Sequence, residues 1–481
     1  MPTGRLLRFA EGRGSDVRAL LQGGAATWHD PLTRLLVGVG VAHPVRRDLP
    51  GLDPDTITLV VPFGGGDVEG FRARLSSGPG GLRTVVVDDR GVGPPLDLPR
   101  HVEVVVHARN RGPAAARNTG WRAAETPFVA FADADVVAPP GWATDVGRHF
   151  ADPELGLVAP RVRATGGTSV RHRYEEVRCP LDMGPVGGLV RHGTQRPFVP
   201  STAWVVRRSA LEAVGGFNEG MRVGEDVDLA WRLERSGWRV RYEPDVTVGH
   251  EPRADVRSWL TQRFGYGRSS ADLWREHGDW LSHLDAASPS ALPWAVGLGV
   301  HPVAGIAAAG AVAWWQSGNM PVARGAGLRF SATAIWRQGV RIGEYVRRIA
   351  ALPLMAASLT SRAARAALAA SATTYVSDWI EERPRLDPVT YGLLRIADDL
   401  AYGAGAWAGA VASRDLGSLA VSLRGMRRPG SPQTLGQTGR QHDDRQVRAS
   451  GGEVREDGRV HHVHAVETRD PAVRPDDGHR I

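Results

Sequence analysis

From Thr56 onward, short β-branched apolar runs alternate with stretches of helical period. The order is ITLVVPF, a helical pattern around VEGFRARL, then RTVVVDD, VEVVVHA, the helical PAAARNTGWRAAE, and PFVAFADADVV. Apolar strands separated by crossover helices predict an α/β fold with a mostly parallel central sheet. Further on, TAWVVRRSAL reads as a strand running into a helix. GEDVDLAWRLERSG reads as an acid-capped helix that offers Val227, Ala230, Trp231 and Leu233 for packing, and WRVRYEPDVTVGH as a strand and loop ending at His250. This unit is expected to span residues 55–270.

The pattern differs on either side. Residues 1–54 read as a small N-terminal module, with short amphipathic helices at VRALLQGG and LTRLLVGVGVAHP and a turn-forming VRRDLPGLDPD. Residues 271–425 read as a helical region with segments at 354–377 and 391–424. Within it, residues 286–323 contain no Asp, Glu or Arg. The stretch Ala291 to Trp315 could just cross a hydrocarbon core of about 30 Å at ~1.5 Å per residue, with Trp294 and Trp314 near its ends. Pro293, His301 and Pro302 interrupt that stretch, and Arg-rich segments on both sides leave no positive-inside bias. The expectation is therefore a helical hairpin on or in a membrane surface. Residues 426–481 have almost no large apolar side chains and are expected to be a disordered tail; its HHVH at 461–464 is a weak metal-binding candidate.

Composition narrows the function. The chain has 481 residues, 42% of them hydrophobic, enough for two or three domains with real cores. Its net charge is +7, and every one of the 59 basic side chains is Arg. Those arginines are spread along the chain rather than interleaved with aromatics in one patch, which argues against nucleic acid as a partner and leaves phosphates or lipid head groups. Cys179 is the single cysteine, so there is no intrachain disulfide, and no Cys/His cluster has zinc spacing; a reducing cytosol fits. The opening MPTGRLLRFAEGRG lacks the apolar core of a signal peptide, so a cytoplasmic location is expected, possible contact with the inner face of the membrane included.

The candidate chemistry lies where the strands end. In open α/β sheets ligands bind beyond the carboxyl ends of the strands, and Asp88, Asp89, Asp133 and Asp135 all fall there. A D-x-D pair closing an apolar strand suits Mg²⁺ or Mn²⁺, hard cations that take one or two carboxylates together with substrate phosphates. The competing reading is an acidic turn in which Asp135 bonds its own backbone. HARNRGPAAARNTGWRAAE follows a strand, places glycines and a proline in the turn, and opens a helix carrying Arg117 and Asn118, so amides and Arg can approach a diphosphate. The GGG at 64–66 is followed by Glu69 where a third glycine would be needed, so the dinucleotide fingerprint fails. Glu225 and Asp226 open a helix, where acids also favour the dipole.

Taken together, VVPF, VVVDD, ARNRGPAAARNTG, ADAD, GGFNEGMRVGEDVDLAWRLERSG and His250 resemble, in order and spacing, the inverting sugar transferases of glycosyltransferase family 2. The resemblance covers residues 56–270 and implies a GT-A-type nucleotide-sugar-binding fold. It implies that Asp88 or Asp89 holds the pyrimidine ring of a nucleotide sugar, that Arg117 approaches the base or phosphates, and that Asp133 and Asp135 form the metal site, Asp133 also meeting the donor, with His250 as a third metal ligand. Asp226 matches the family's general base, with Glu225 as its neighbour on the acceptor side. In the C-terminal half, LRIADDLAYGAGAWAGAV and YVSDWIEERPRLDP, together with GVGVAHPV of the leader, resemble the branch of this family that serves mycofactocin biosynthesis. That resemblance implies transfer of glucose from UDP-glucose to the pre-mycofactocin acceptor, building a short β-1,4-glucan. Alternatives are a family 2 enzyme acting on a lipid or cell-wall polysaccharide, a nucleotidyltransferase that releases pyrophosphate, and a noncatalytic membrane-surface binding protein.

Overall fold

The computed structural model describes residues 30–422, apart from 39, 41, 77–80, 195, 254, 287 and 321, together with Val17. Beyond Val17, the expected helix at VRALLQGG lies outside the described residues, as do the 426–481 tail and its HHVH. After α1 (Pro31–Gly38), the chain runs β1 (Ile57–Phe63), α2 (Val68–Ser76), β2 (Arg83–Asp88), β3 (Val102–Val106), α3 (Pro113–Ala123), β4 (Phe128–Ala132) and β5 (Val136–Val137). Then come α4 (Trp142–Val146), β6 (Leu155–Ala164), α5 (Val170–Arg178), β7 (Gly188–Val190), β8 (Ala203–Arg207), α6 (Arg208–Val214), α7 (Glu225–Arg235) and β9 (Arg239–His250).

The strands form one sheet in the order β3-β2-β1-β4-β8-β6-β9-β5, with β7 also on β9. The pairs β1–β2, β2–β3, β1–β4 and β6–β9 are parallel, as the apolar runs predict. The β4–β8 and β6–β8 pairs are antiparallel, so β8 reverses the sheet at its centre. Hydrophobic packing fills both faces. Phe71, Leu75, Trp142 and Val146 cover one face; Ala114, Trp121, Leu211, Leu229 and Leu233 cover the other. Close packing extends to the backbone: a side chain at Gly120 of α3 would begin 2.2 Å from Val60 Cγ1 of β1.

The helical region begins with α8 (Val256–His277), which runs unbroken through the expected boundary near residue 270. Beyond it, α9 (Leu292–Gly299) and α10 (Pro302–Gly318) form the expected hairpin, broken at Val300 and His301, where the His301 ring accepts from the Val303 amide and Pro302 starts the new helix. No helix among the described residues is long and apolar enough to cross a membrane. Four further helices follow: α11 (Arg324–Arg348), α12 (Ala351–Ala357), α13 (Arg362–Glu382) and α14 (Pro388–Ser413).

The glycines of LAYGAGAWAGAV have a packing reason. Side chains at Gly405 and Gly267 would each begin 1.9 Å from a backbone oxygen of the facing helix, Phe264 O and Tyr402 O respectively. Only bare backbone lets α8 and α14 approach this closely. The same helices share buried charge: Arg263 pairs with Asp398 (3.0 Å) and with Glu175 of α5, and the Tyr174 hydroxyl donates to Asp398 (2.8 Å). Gly405→Ala is expected to lower stability by about 1–3 kcal/mol, the cost of overpacking a filled interface. A urea unfolding midpoint equal to that of the unaltered chain would contradict this account of the α8–α14 contact.

Candidate active site

The carboxyl ends of β1, β2 and β4 open into one continuous cleft of about 3830 Å³, which also reaches α7, α8 and the helical region. Asp133 follows β4 directly, and Asp135 is carried one turn further to β5. The pairing of Val136 with His250 across the β5–β9 ladder sets Asp135 beside that histidine, with Nε2 and Oδ2 3.3 Å apart. Burial alone would raise the Asp135 pKa, but the hydrogen bond and charge of His250 bring it below the ordinary value. His250 is shifted up by the same pairing, against its own burial.

Asp133 has a different partner. Arg117, buried in α3, donates from Nη2 to Asp133 (2.6 Å) and from Nη1 to Glu225 (2.9 Å), with its guanidinium over the Phe217 ring at 5.6 Å. One cation thus joins the end of β4 to the start of α7. Burial, reinforced by Asp135, holds the Asp133 pKa up despite that cation. The start of α7 is set by Gly224, whose φ of 87° favours glycine and turns the chain tightly into the helix. Ser201 Oγ also donates to Glu225 (3.4 Å). Asp226, next in sequence, takes the Val227 amide (2.8 Å) and makes no salt bridge among the described residues. Burial first, and the neighbouring Glu225 second, raise its pKa to about 7.

The two acids after β2 separate in role. Asp88 is held by Arg90 through two side-chain hydrogen bonds (2.8 and 2.7 Å), which lower its pKa. Asp89 lines the cleft and accepts from the Arg111 and Gly112 amides (both 2.8 Å) and from His107 Nδ1 (2.7 Å). Because His107 Nε2 meets the Thr119 hydroxyl (2.9 Å), the imidazole ties β2 to α3. Asn118 pins the 217–219 turn, donating to Phe217 O and Glu219 (both 2.9 Å) and accepting from the Phe217 amide.

Sequence reasoning named the acids, Arg117 and His250, but passed over Arg90, His107 and Ser201, the side chains that orient them. The signal available was adjacency: Arg90 directly follows the DD pair and His107 closes a strand. The structure brings Asp135 and His250 together and Arg117 against Asp133 and Glu225. No group of three or more His, Cys, Asp and Glu among the described residues is itself arranged to hold a metal ion. Asp135 and His250, with Asp133 two residues away, nonetheless fit a cation that keeps waters and shares substrate phosphates.

The sheet is a mostly parallel one reversed at its centre, with its acids gathered at one crevice, an α/β arrangement that binds ligands beyond its strand ends. The model of glycosyl transferase family 2 matches residues 92–215. Over 445 residues the chain is 37% identical to the pre-mycofactocin glycosyltransferase of Mycobacterium tuberculosis, covering 87% of this chain and 93% of that protein. It is 28% identical over 205 residues to probable polypeptide N-acetylgalactosaminyltransferase 8 of Homo sapiens, covering 39% of this chain and 32% of that one. Among solved structures, a mannosyltransferase from Pyrobaculum calidifontis in complex with GDP-Man and Mn²⁺ superposes with a TM-score of 0.41 at 18% identity, covering 82% of this chain and 97% of that one. The chain belongs to glycosyltransferase family 2 and, within it, to the pre-mycofactocin glycosyltransferases.

Removing the shared cation tests this account of the site. Arg117→Ala leaves the buried Glu225 and the partly exposed Asp133 without their partner, and a loss of about 3 kcal/mol is expected. The check is chemical denaturation of both proteins; a loss under about 1 kcal/mol would mean that the two carboxylates do not depend on Arg117.

Proposed function

We propose that this chain transfers glucose from UDP-glucose to the precursor pre-mycofactocin and extends a short β-1,4-linked glucan, with inversion at the anomeric carbon. The observation that carries the mechanism is the contrast between Glu225 and Asp226. Glu225 is paired with Arg117, whereas Asp226 faces the cleft with no cation in contact among the described residues and a pKa of about 7. A carboxylate poised there accepts a proton at neutral pH more readily than an ordinary one. The acceptor rests on the likeness to the mycobacterial relative and on the resemblance of the C-terminal motifs, and the sugar on that resemblance alone.

In this reading Asp89 meets the base of the nucleotide. Asp226 takes the acceptor hydroxyl proton as that oxygen bonds to the anomeric carbon, while the bond from that carbon to the diphosphate oxygen breaks. The proton then leaves Asp226 to solvent. Asp135 and His250, with Asp133, would hold Mg²⁺ or Mn²⁺, whose charge neutralises the leaving diphosphate. Arg117 keeps Asp133 and Glu225 in place and leaves Asp226 as the uncommitted base.

The α9–α10 hairpin provides the membrane contact on the cytoplasmic side. Leu298, Val300, Val303 and Ile306 around its turn are each more than half exposed, as are Trp314 and Trp315 further along α10. Arg324 stands over the Trp314 ring at 3.5 Å, a cation beside an interfacial aromatic.

Three experiments follow. Mass spectrometry after incubation with Mg²⁺, UDP-glucose and pre-mycofactocin should show successive hexose additions, lowered ~10²–10⁴-fold in Asp226→Asn. Because the base must be ionised, kcat should fall about tenfold per unit below pH ~7 and level off above it. Full activity in the variant would dismiss Asp226 as the base, and turnover only with another sugar or acceptor would discard the substrate assignment. Separately, the protein should sediment with phosphatidylglycerol vesicles and not with phosphatidylcholine vesicles, and Val303→Asp with Ile306→Asp should release it; equal sedimentation of the double variant would exclude the hairpin.

A further inference from the structure

A single nucleotide-sugar or drug-sized ligand occupies a pocket of roughly 300–1,000 Å³. The cleft here, at about 3830 Å³, is several times larger, and its lining reaches from Gly224 along α8 into the helical region. Ser269 and Ser270 of α8 are among its lining residues, and the Ser270 hydroxyl lies 3.5 Å from that of Tyr402. Tyr402 in turn stacks under the Arg348 guanidinium (5.1 Å) and meets the edge of His283 (6.1 Å, interplanar 90°). Arg341 and Glu344, one turn apart on α11, line the same arm.

These groups are of one chemical kind. His283 Nε2 has no hydrogen-bond partner, and burial, with Arg348 nearby, lowers the ring's pKa to about 4, so the imidazole is neutral at working pH. Ser270, Tyr402 and a neutral imidazole both donate and accept, which matches sugar hydroxyls, while Arg341 and Glu344 supply a strong donor and a strong acceptor. Of the two arginines named in this arm, Arg348 is already paired with Asp399 (2.7 Å), which leaves Arg341 to donate to a hydroxyl.

We infer that the arm walled by α8, Ser282–Asp285, α11 and Tyr402 is a subsite for the glucan already built, holding an uncharged β-linked chain behind the sugar at Asp226. The inference rests on the proposed chain-extending reaction. It assigns the helical region a part in setting chain length, because a product retained in the arm is extended before it is released.

The test uses the full chain and cellotetraose, with Arg341→Ala combined with Glu344→Ala; both side chains face the cleft rather than a packed core, and thermal unfolding checks the fold. Calorimetry should show cellotetraose binding to the unaltered protein, with or without UDP, and at least tenfold weaker binding to the variant. In the transfer assay the ratio of second to first hexose addition should fall at least fivefold. Absence of cellotetraose binding to the unaltered protein, or equal binding to the variant, overturns the subsite. Because that binding needs no turnover, loss of the glucose assignment would be seen separately, as binding without hexose addition from UDP-glucose.

Discussion

The site depends on one buried guanidinium. Asp133 and Glu225 come from distant parts of the chain, and bringing acids together in a partly desolvated crevice is costly without a cation. Arg117 serves both, and its position is fixed because α3 packs bare glycine backbone onto β1 at Gly120. The difference between Glu225 and Asp226 follows: the guanidinium can touch only one of two adjacent carboxylates. Electrostatic inequality between neighbours, rather than residue type, separates a structural acid from a free one.

The same economy holds at the far end of the crevice. Asp89 organises the 110–112 turn by accepting its amides, and His107 braces Asp89 against α3. His250 is set against Asp135 by strand register alone, since a one-residue slip in the β5–β9 ladder would turn it to the other face. Each polar group in the cleft is therefore positioned by an element whose own place is decided by packing elsewhere.

Much of this was legible beforehand because its signals are local. Apolar runs such as TVVVDD mark buried parallel strands, and acids closing them mark the ligand crevice. The hairpin break was readable from Pro302, which cannot continue a helix through its missing N–H. The reversal at β8 was not, since AWVVR is equally apolar in either direction. Nor could the sequence show that Arg117 would be spent on two carboxylates, because that depends on α7 arriving from more than a hundred residues away. The glycine spacing of LAYGAGAWAGAV carried a family resemblance but no geometry until Phe264 and Tyr402 were seen against it.

The continuity of α8 has a consequence for how such a chain can change over generations. Its 22 residues, about 33 Å of helix, serve at one end as a wall of the cleft and along their length as the partner of α14. No linker separates catalysis from the helices, so neither part can be exchanged for a homologue's without rebuilding the other's surface. Inheritance must act on them as one unit, and substitutions in either are filtered through the shape of a single shared rod.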